Sequence, residues 1–507
     1  MVEASSASMV SPLARWCWPP AGLSDIPIER LSVSTCPRPR ATLTQGENMA
    51  QRVGPTRRGV DGTPVEPLSI KHPNAAGIDI GGASHYVAVP PDRVGKGEPA
   101  VREFGPHTED LVAVANWLCA CRIDTVALES TGVYWIALYE LLQARGFEVW
   151  LVDAKSVRHV KARKSDVLDC QWLQQLHSFG LLSQAHRPDE QVCALREMSR
   201  LRDITIDERA RHTQRMQKAL TQMNVQLTNV ITDITGETGM NIIRAIVAGE
   251  RDRMALAQLR NYRVHASTEQ IAKALEGRWS REHLFSLAHE LKAYDFASEQ
   301  IARLDAEIEG RLEAMRVFDK RPEANANKGR RKNTLAFDGR RALMNWCGVD
   351  LTEVPGIDVG TALKILSELG SSLTRFATAK HFCSWLGLCP GTRISGNKKL
   401  SGASKRIPNR VARALKLAAL GLSRSRCAMG AYYRKLALRM GSPKAITAVA
   451  HKLARIVHAM LSGQASYVKE DQARHEARYR ERAIKALQKR AQELGLTLSP
   501  QAVPAQP

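Results

Sequence analysis

The pattern that most constrains this chain lies between residues 74 and 187, where short apolar runs and helical periodicities succeed one another in a fixed order. "AGIDIG" and "SHYVAV" are apolar with a period of two and are joined by a short Gly turn, which reads as a β-hairpin. "AVREFG" continues as a third strand. "HTEDLVAVANWLCACR" changes to steps of three and four, the spacing of an amphipathic helix. "DTVALES" returns to a strand, "GVYWIALYELLQARG" is a helix closed by Gly146, and "FEVWLVD" is another strand. The basic run "KSVRHVKARK" then leads into a helix that opens at "KSDVLDCQWL". Three strands followed by helix, strand, helix, strand and helix predict an α/β domain with a mixed sheet. The antiparallel hairpin at its start suits a ribonuclease-H-like order.

The rest of the chain reads as helix. Residues 188–232 and 281–317 are long and polar, with apolar residues at three- and four-residue steps; they are expected to pair as an antiparallel coiled-coil arm with shorter helices at its tip. Residues 318–335 form a basic loop. From 336 to 468 the pattern predicts an all-α domain that contains "VPGIDVGTALKIL", a helix-hairpin-helix-like element, and a Gly- and Ser-rich basic loop, "CPGTRISGNKKLSGASKRIPN". Residues 469–507 are a charged helix and a Pro-rich tail. Residues 1–72, rich in Pro, Ser, Thr and Arg, read as a disordered extension, and Met49 is a candidate start. The expected organisation is therefore an extension (1–72), an α/β domain (73–187), a helical arm with a basic loop (188–335), an all-α domain (336–468) and a tail.

Charge narrows the function. The net charge is +22, which implies an anionic polymer as partner, most simply nucleic acid. Between Glu368 and Glu470 there is no Asp or Glu, while that span holds 19 Lys and Arg. A merely solvated surface would mix the signs. Aromatic residues make up only 5% of the chain, which argues against bases being read mainly by stacking. No apolar run reaches the ~18 residues needed to span a bilayer, and the N-terminus lacks the apolar core of a signal peptide. The ten cysteines contain no CxxC pair, which fits reduced thiols in a cytosol better than disulfides or a zinc site.

Against this basic background four acids stand out. Asp79 lies within the apolar strand "GIDIG", where a carboxylate is costly unless it is paired or binds metal. Glu129 ends the strand "DTVALES". Asp166 and Asp169 are three apart on a helix, so they share a face with Cβ atoms roughly 5–6 Å apart. Together they offer an all-oxygen site for two Mg²⁺ or Mn²⁺ ions about 4 Å apart, a pair that clamps the attacking and leaving oxygens of a phosphoryl transfer. Each acid also has a plainer reading: Asp79 as a turn residue, Glu129 as the neighbour of a helix N-cap, and Asp166 as a cap in an acid-complemented helix start. Strand Asp, strand-end Glu and helical DxxD in that order favour the metal site.

These segments resemble a known family. "GIDIG", "ALESTGVYW", "VWLVDAKSVRHVKARKSDVLDCQWL" and "VPGIDVGTALKILSELG... WLGLCPGTRISGNKKLSGASKR" look like the DEDD transposases of the insertion-sequence-110 family, whose N-terminal domain is similar to RuvC, the Holliday-junction resolvase. Ser165 and Cys170 replace the more usual Thr and Ala of the last acidic motif and leave the carboxylates intact. The resemblance implies that Asp79, Glu129, Asp166 and Asp169 bind the divalent metal. It also implies that a Ser in the C-terminal domain attacks DNA; the Ser-Gly step after a Pro points to Ser395, with Ser401 and Ser404 in the same loop as alternatives. It further implies a bacterial, nucleoid-associated cytoplasmic protein acting on element ends and target DNA, guided by a structured RNA from the element, and assembled as a homodimer or tetramer.

The candidate nucleic-acid contacts follow from charge and backbone. Lys161, Arg163 and Lys164 lead into the acidic helix. Gly356 sits in a turn whose N–H groups can meet phosphate. Lys398, Lys399 and Lys405 flank the Ser residues, and Arg406, Arg410, Arg413 and Lys416 recur along one helix face. Other readings are weaker. An actin-like ATPase would need a second phosphate motif and leaves the basic domain unexplained. A tyrosine recombinase has its late Tyr467 but the wrong His-to-Arg spacing in "HKLAR". A non-catalytic nucleic-acid scaffold, and a RuvC-like junction nuclease without the serine step, remain as alternatives.

Overall fold

The structure, a computed structural model, describes residues 69–130, 132–152, 165–322, 332–404 and 407–463, together with 466–467 and parts of 480–497. The chain divides into two compact units, one up to Arg187 and one from Pro188.

The first unit is built on a five-stranded mixed sheet. Its strands are β1 (Ala75–Ile80), β2 (His85–Ala88), β3 (Val101–Phe104), β4 (Thr125–Glu129) and β5 (Glu148–Val152), in the order β3-β2-β1-β4-β5. β1 pairs antiparallel with β2 and parallel with β4, while β4 pairs parallel with β5. This mixed sheet with flanking helices is consistent with the ribonuclease-H-like expectation. Helices α1 (Thr108–Ala120), α2 (Trp135–Ala144) and α3 (Asp166–Ser178) complete the unit.

Alternation along the strands sorts the helices into layers, because successive side chains leave a strand on opposite faces. Ile78 and Ile80 of β1 and Val126 and Leu128 of β4 enter one core with Val114 and Leu118 of α1 and Leu138 and Leu142 of α2. Ala127 faces the other way, into a smaller cluster with Val152 and Leu173 of α3. Gly77 also belongs to this second face. A Cβ placed on it would lie 2.6 Å from the carbonyl oxygen of Cys170 and 2.8 Å from the Cα of Gln174, so α3 rests directly on the β1 backbone. A glycine inside a strand is the sequence mark of such close approach.

The far end of α3 is pinned as well. His177 is fully buried and its Nε2 lies 2.9 Å from the Thr125 hydroxyl of β4. Its ring stacks on His72 at 5.0 Å. Burial and the neighbouring His72 push its pKa down to about 4, so it stays neutral. The N–H groups of Lys71 and His72 both donate to the Ser178 carbonyl. Residues 71 and 72 are thus tied to the C-terminal end of α3.

The second unit is helical apart from one hairpin. Its two long helices, α4 (Glu190–Gln222) and α8 (Arg281–Ala314), run antiparallel, because Arg202 meets Asp305 while His212 meets Glu290. The Arg202–Asp305 pair is buried, and its remaining hydrogen-bond capacity is used: Arg202 donates to the Asn333 carbonyl, and the Ala336 N–H donates to Asp305. Short helices α5 (Glu237–Ala248), α6 (Arg253–Gln258) and α7 (Thr268–Ala274) close the tip over their own core. At the base, α9 (Gly339–Cys347), α10 (Val359–Leu369), α11 (Ala379–Trp385), α12 (Arg410–Gly421), α13 (Ala428–Met440) and α14 (Ser442–Gly463) share one core with Val192, Leu195, Ile308 and Leu312 of the long helices. The arm and the all-α region are therefore one body.

Two local expectations change on inspection. "LTEVPGIDVG" does not start with a full helix: only a single 3-10 turn, Leu351–Glu353, precedes Pro355 and the left-handed Gly356 (φ +90°). The Ser-rich segment is not an irregular loop but a hairpin of β6 (Arg393–Ser395) and β7 (Lys398–Ser401). Gly396 and Asn397 both have positive φ, as a two-residue type I′ turn requires.

Candidate active site and nucleic-acid interface

The sheet register brings two of the four acids side by side. Ile78 lies beside Leu128 on parallel strands, so the next residues, Asp79 and Glu129, are neighbours at the C-terminal ends of β1 and β4. Both alternate with core-facing residues, which directs them to the face that carries α3. That helix begins at Ser165, whose Oγ accepts the Leu168 N–H at 3.3 Å. Ser165 is therefore the N-cap, Asp166 is the first helical residue, and Asp169 lies one turn on. Asp79 and Asp169 are half-buried and Asp166 is exposed.

Asp79 senses the other three carboxylates. Burial, and then the charges of Glu129, Asp166 and Asp169 in that order, raise the Asp79 pKa to about 6. Burial and the charge of Asp79 push the Cys170 thiol up to about 12. The Tyr86 phenol, across from Asp79 on β2, is held above its usual range chiefly by a hydrogen bond to Glu103, and Asp166 contributes as well.

An all-carboxylate set suits hard divalent cations. No three His, Cys, Asp or Glu side chains among the described residues stand close enough to hold an ion as they are. The donor chemistry fits the metal, and burial together with the neighbouring carboxylates disfavours the charged form of Asp79.

Two family models match the chain. A transposase model, that of the insertion-sequence-110 DEDD type, covers residues 76–225, which include all four acids. A second, described as the transposase IS116/IS110/IS902 family, covers residues 349–434, which include the hairpin and most of the acid-free span. The chain belongs to the insertion-sequence-110 family of transposases. No curated protein matches it. Membership makes DNA the partner, implies DNA cleavage and rejoining, and carries an expectation of divalent-metal dependence. No helix among the described residues is long and apolar enough to cross a membrane.

In this transposase the Ser residues of the hairpin differ in setting. Ser395 is exposed and is the cross-strand partner of Lys398 next to the turn. Ser401 is engaged by its own chain, its Oγ accepting the Ala403 N–H at 3.2 Å. Ser404 forms a bridge with Pro390 at the base. The backbone places Lys399 opposite Ile394.

The expected nucleic-acid contacts separate into groups. Lys161, Arg163, Lys164, Lys405 and Arg406 lie outside the described residues. Arg413 and Lys416 are exposed along α12. Arg410, on the same helix, instead pairs with Asp203 of α4 at 3.0 Å and with Glu368 at 3.3 Å. Glu368 also takes a two-pronged contact from Arg200 at 2.8 and 2.7 Å, and Lys364 pairs with Asp203 at 2.9 Å. Arg410 thereby has protein partners, although its side chain is still 44% exposed. Gly356 packs its Cα toward the Ala418 carbonyl of α12, where a Cβ would come to 3.0 Å. The adjoining α10 N-terminus is capped by Asp358, which accepts the Thr361 N–H at 2.8 Å. An acidic cap opposes phosphate there. Sequence reading passed over Gly77, although its place inside an apolar strand was the available signal.

Proposed function

We propose that this transposase cuts and rejoins DNA at the ends of an insertion element by Mg²⁺- or Mn²⁺-dependent phosphoryl transfer, with Ser395 as the nucleophile and an element-encoded RNA as the sequence guide. The observation that carries the reading is the register that sets Asp79 beside Glu129 on the face where α3 presents Asp166 and Asp169. These four residues would hold the metal, two ions in all, and the bound metal supplies compensation for charge that builds on the phosphoryl group in the transition state. Asp79, half-buried on this face, keeps its proton up to about pH 6 when no cation neutralises the cluster. The first unit would act as a RuvC-like catalytic domain, the α4–α8 pair as a coiled-coil arm, and residues 336–468 as the serine-bearing, DNA-contacting region.

For Ser395, exposure at a hairpin tip and a facing Lys398 support the assignment: the ammonium lowers the cost of an alkoxide and offers a charge to phosphate. Arg413 and Lys416 supply sequence-independent backbone contacts, which leave sequence choice to base pairing with the guide. A homodimer or tetramer would supply more than one serine and more than one acidic cluster per synapse.

The test uses the purified full chain with Mg²⁺, the element's RNA and DNA that bears the element junction. Strand cleavage should vanish in Asp79→Ala, and covalent protein–DNA product should vanish in Ser395→Ala. Cleavage that survives both changes overturns the mechanism. Cleavage lost in Asp79→Ala but retained in Ser395→Ala points to a junction nuclease without a serine step, and strand transfer without RNA removes the guide.

A further inference from the structure

Among the described residues near the acidic cluster, several are exposed and apolar, which is unexpected where a polyanion must approach carboxylates. Val133 and Tyr134, just past Glu129, are 69% and 55% exposed. Val167 and Leu168, between Asp166 and Asp169 on α3, are 40% and 47% exposed. Tyr134 is the only aromatic residue of the four, and it is held from beneath. A Cβ placed on Gly82 would meet its Cζ at 3.3 Å and its hydroxyl oxygen at 3.5 Å, and one placed on Gly132 would meet its Cε2 at 3.4 Å. Gly82 lies three residues beyond Asp79 and Gly132 three beyond Glu129. The ring therefore straddles the two loops that leave the acid-bearing strands, supported by backbone and open to solvent.

The next residue fixes this placement. The Trp135 indole N–H donates to the Gly132 carbonyl at 3.2 Å. The Arg187 guanidinium lies over Trp135 at 5.3 Å and over Tyr139 at 4.3 Å, and pairs with Glu140 at 2.6 Å. Tyr134 is thus a rigid, half-exposed π surface rather than a loose side chain, and a preset surface loses little freedom on binding.

We infer that Tyr134 is a stacking platform for one unpaired base of the nucleic-acid strand beside the scissile phosphate, with Val133, Val167 and Leu168 as its apolar surround. This rests on the reading of the four acids as the strand-cutting site. Phosphate gains nothing from an apolar rim beside carboxylates, whereas the face of a base does. Every base has a π face, so stacking holds a strand without choosing its sequence. In duplex DNA base faces are covered by their neighbours, so the platform takes a locally unpaired strand. The low aromatic content excludes stacking as a general mode of reading and leaves room for one placed contact.

The experiment uses the full chain carrying Asp79→Asn, in Ca²⁺, with single-stranded 20-mers of the junction sequence in which 2-aminopurine is walked one position at a time. Quenching is expected at one or two adjacent positions, retained in Tyr134→Phe and lost in Tyr134→Leu. The Kd for the unmodified strand should rise about 5- to 100-fold in Tyr134→Leu. An abasic site at the quenched position should remove that difference. Tyr134→Leu keeps an apolar side chain but removes the ring, and an unchanged melting curve shows that the fold is retained. Equal weakening of abasic and intact strands, or the absence of any Tyr134-dependent quenching, overturns the platform. Cleavage is assayed in parallel on chains with the native Asp79. Asp79-dependent cleavage with no Tyr134-dependent signal removes the platform and keeps the acidic site. A Tyr134-dependent signal with cleavage that survives Asp79→Ala keeps the platform and removes the site.

Discussion

Gly77 meets the carbonyl of Cys170 with no side chain between them, so that a Cβ on Gly77 would lie 2.6 Å from that oxygen. Both partners are backbone, and neither can rotate away. Because Gly77 and Asp79 share a face of β1, this contact sets the height of α3, and of Asp166 and Asp169, above Asp79. Gly77→Ala is expected to lower stability by about 1–3 kcal/mol through overpacking. Displacing the helical acids should also reduce DNA cleavage on the order of 100-fold, since a shift near 1 Å has that effect on an aligned site. Ile78→Val supplies the contrast. It loses about 0.5–1.5 kcal/mol in the opposite core without moving α3. Cleavage per folded molecule should therefore fall in Gly77→Ala and hold in Ile78→Val; equal cleavage in both would show that the α3 spacing is not set by this contact.

How much of this was legible beforehand follows from what each residue signals locally. Period-two runs around Asp79 and Glu129 and the helical DxxD announce both element type and face, so the mixed sheet and the meeting of Asp79 and Glu129 at neighbouring strand ends could be read directly. Gly356 and Arg410 have protein partners that the sequence does not announce. A turn glycine and a basic helix face look the same in sequence whether they meet phosphate or protein, and the deciding partners, Ala418 for one and Asp203 and Glu368 for the other, are distant in the chain. The hairpin at Ser395 was hidden because "SGNKK" has a turn signal but too few flanking apolar residues to mark strands.

The raised Asp79 pKa gives the protein without metal a particular pH dependence. An ordinary unfolded carboxyl titrates near 3.9, and in the fold Asp79 titrates at about 6. Between those values the folded state holds the extra proton. Stability from this group is therefore present at pH 4 and is lost as pH rises through 6. Partial exposure of the carboxyl screens the effect, so the change in melting temperature should be a few degrees. In EDTA, Asp79→Asn should melt higher than the native chain at pH 7.5 and level with it at pH 4. Mg²⁺ should raise the native melting temperature at pH 7.5 and leave Asp79→Asn nearly unmoved. A native chain whose melting in EDTA is flat from pH 4 to 7.5 would contradict the crowding of these acids.

Arg410, Arg413 and Lys416 lie on one helix but should behave as two classes. Each cation that neutralises a phosphate adds about 0.9 to the slope of log K against log salt on duplex DNA. Arg413→Ala and Lys416→Ala should each lower that slope by about 1, with little effect on melting. Arg410→Ala should leave the slope unchanged and destabilise the second unit, because it strips Asp203 and the largely buried Glu368 of a partner. Equal slopes for all three variants would return Arg410 to the DNA surface.

The hairpin offers a way to test Ser395 without altering it. Ser395 faces Lys398 because Gly396 and Asn397 both adopt left-handed backbone, with φ of +53° and +60°. Val cannot occupy that conformation without strain, whereas Gly can. Gly396→Val should therefore break the type I′ turn and the Ser395–Lys398 pairing while the helical core remains folded. Covalent protein–DNA product should fall toward the level of Ser395→Ala, with an unchanged melting temperature. Asn397→Gly should keep full activity, since it preserves the turn and removes only a side chain. If Gly396→Val joins strands as well as the native chain, the position of the serine at the tip is immaterial. The assignment of the nucleophile would then pass to Ser401 or Ser404, whose settings lie away from the turn.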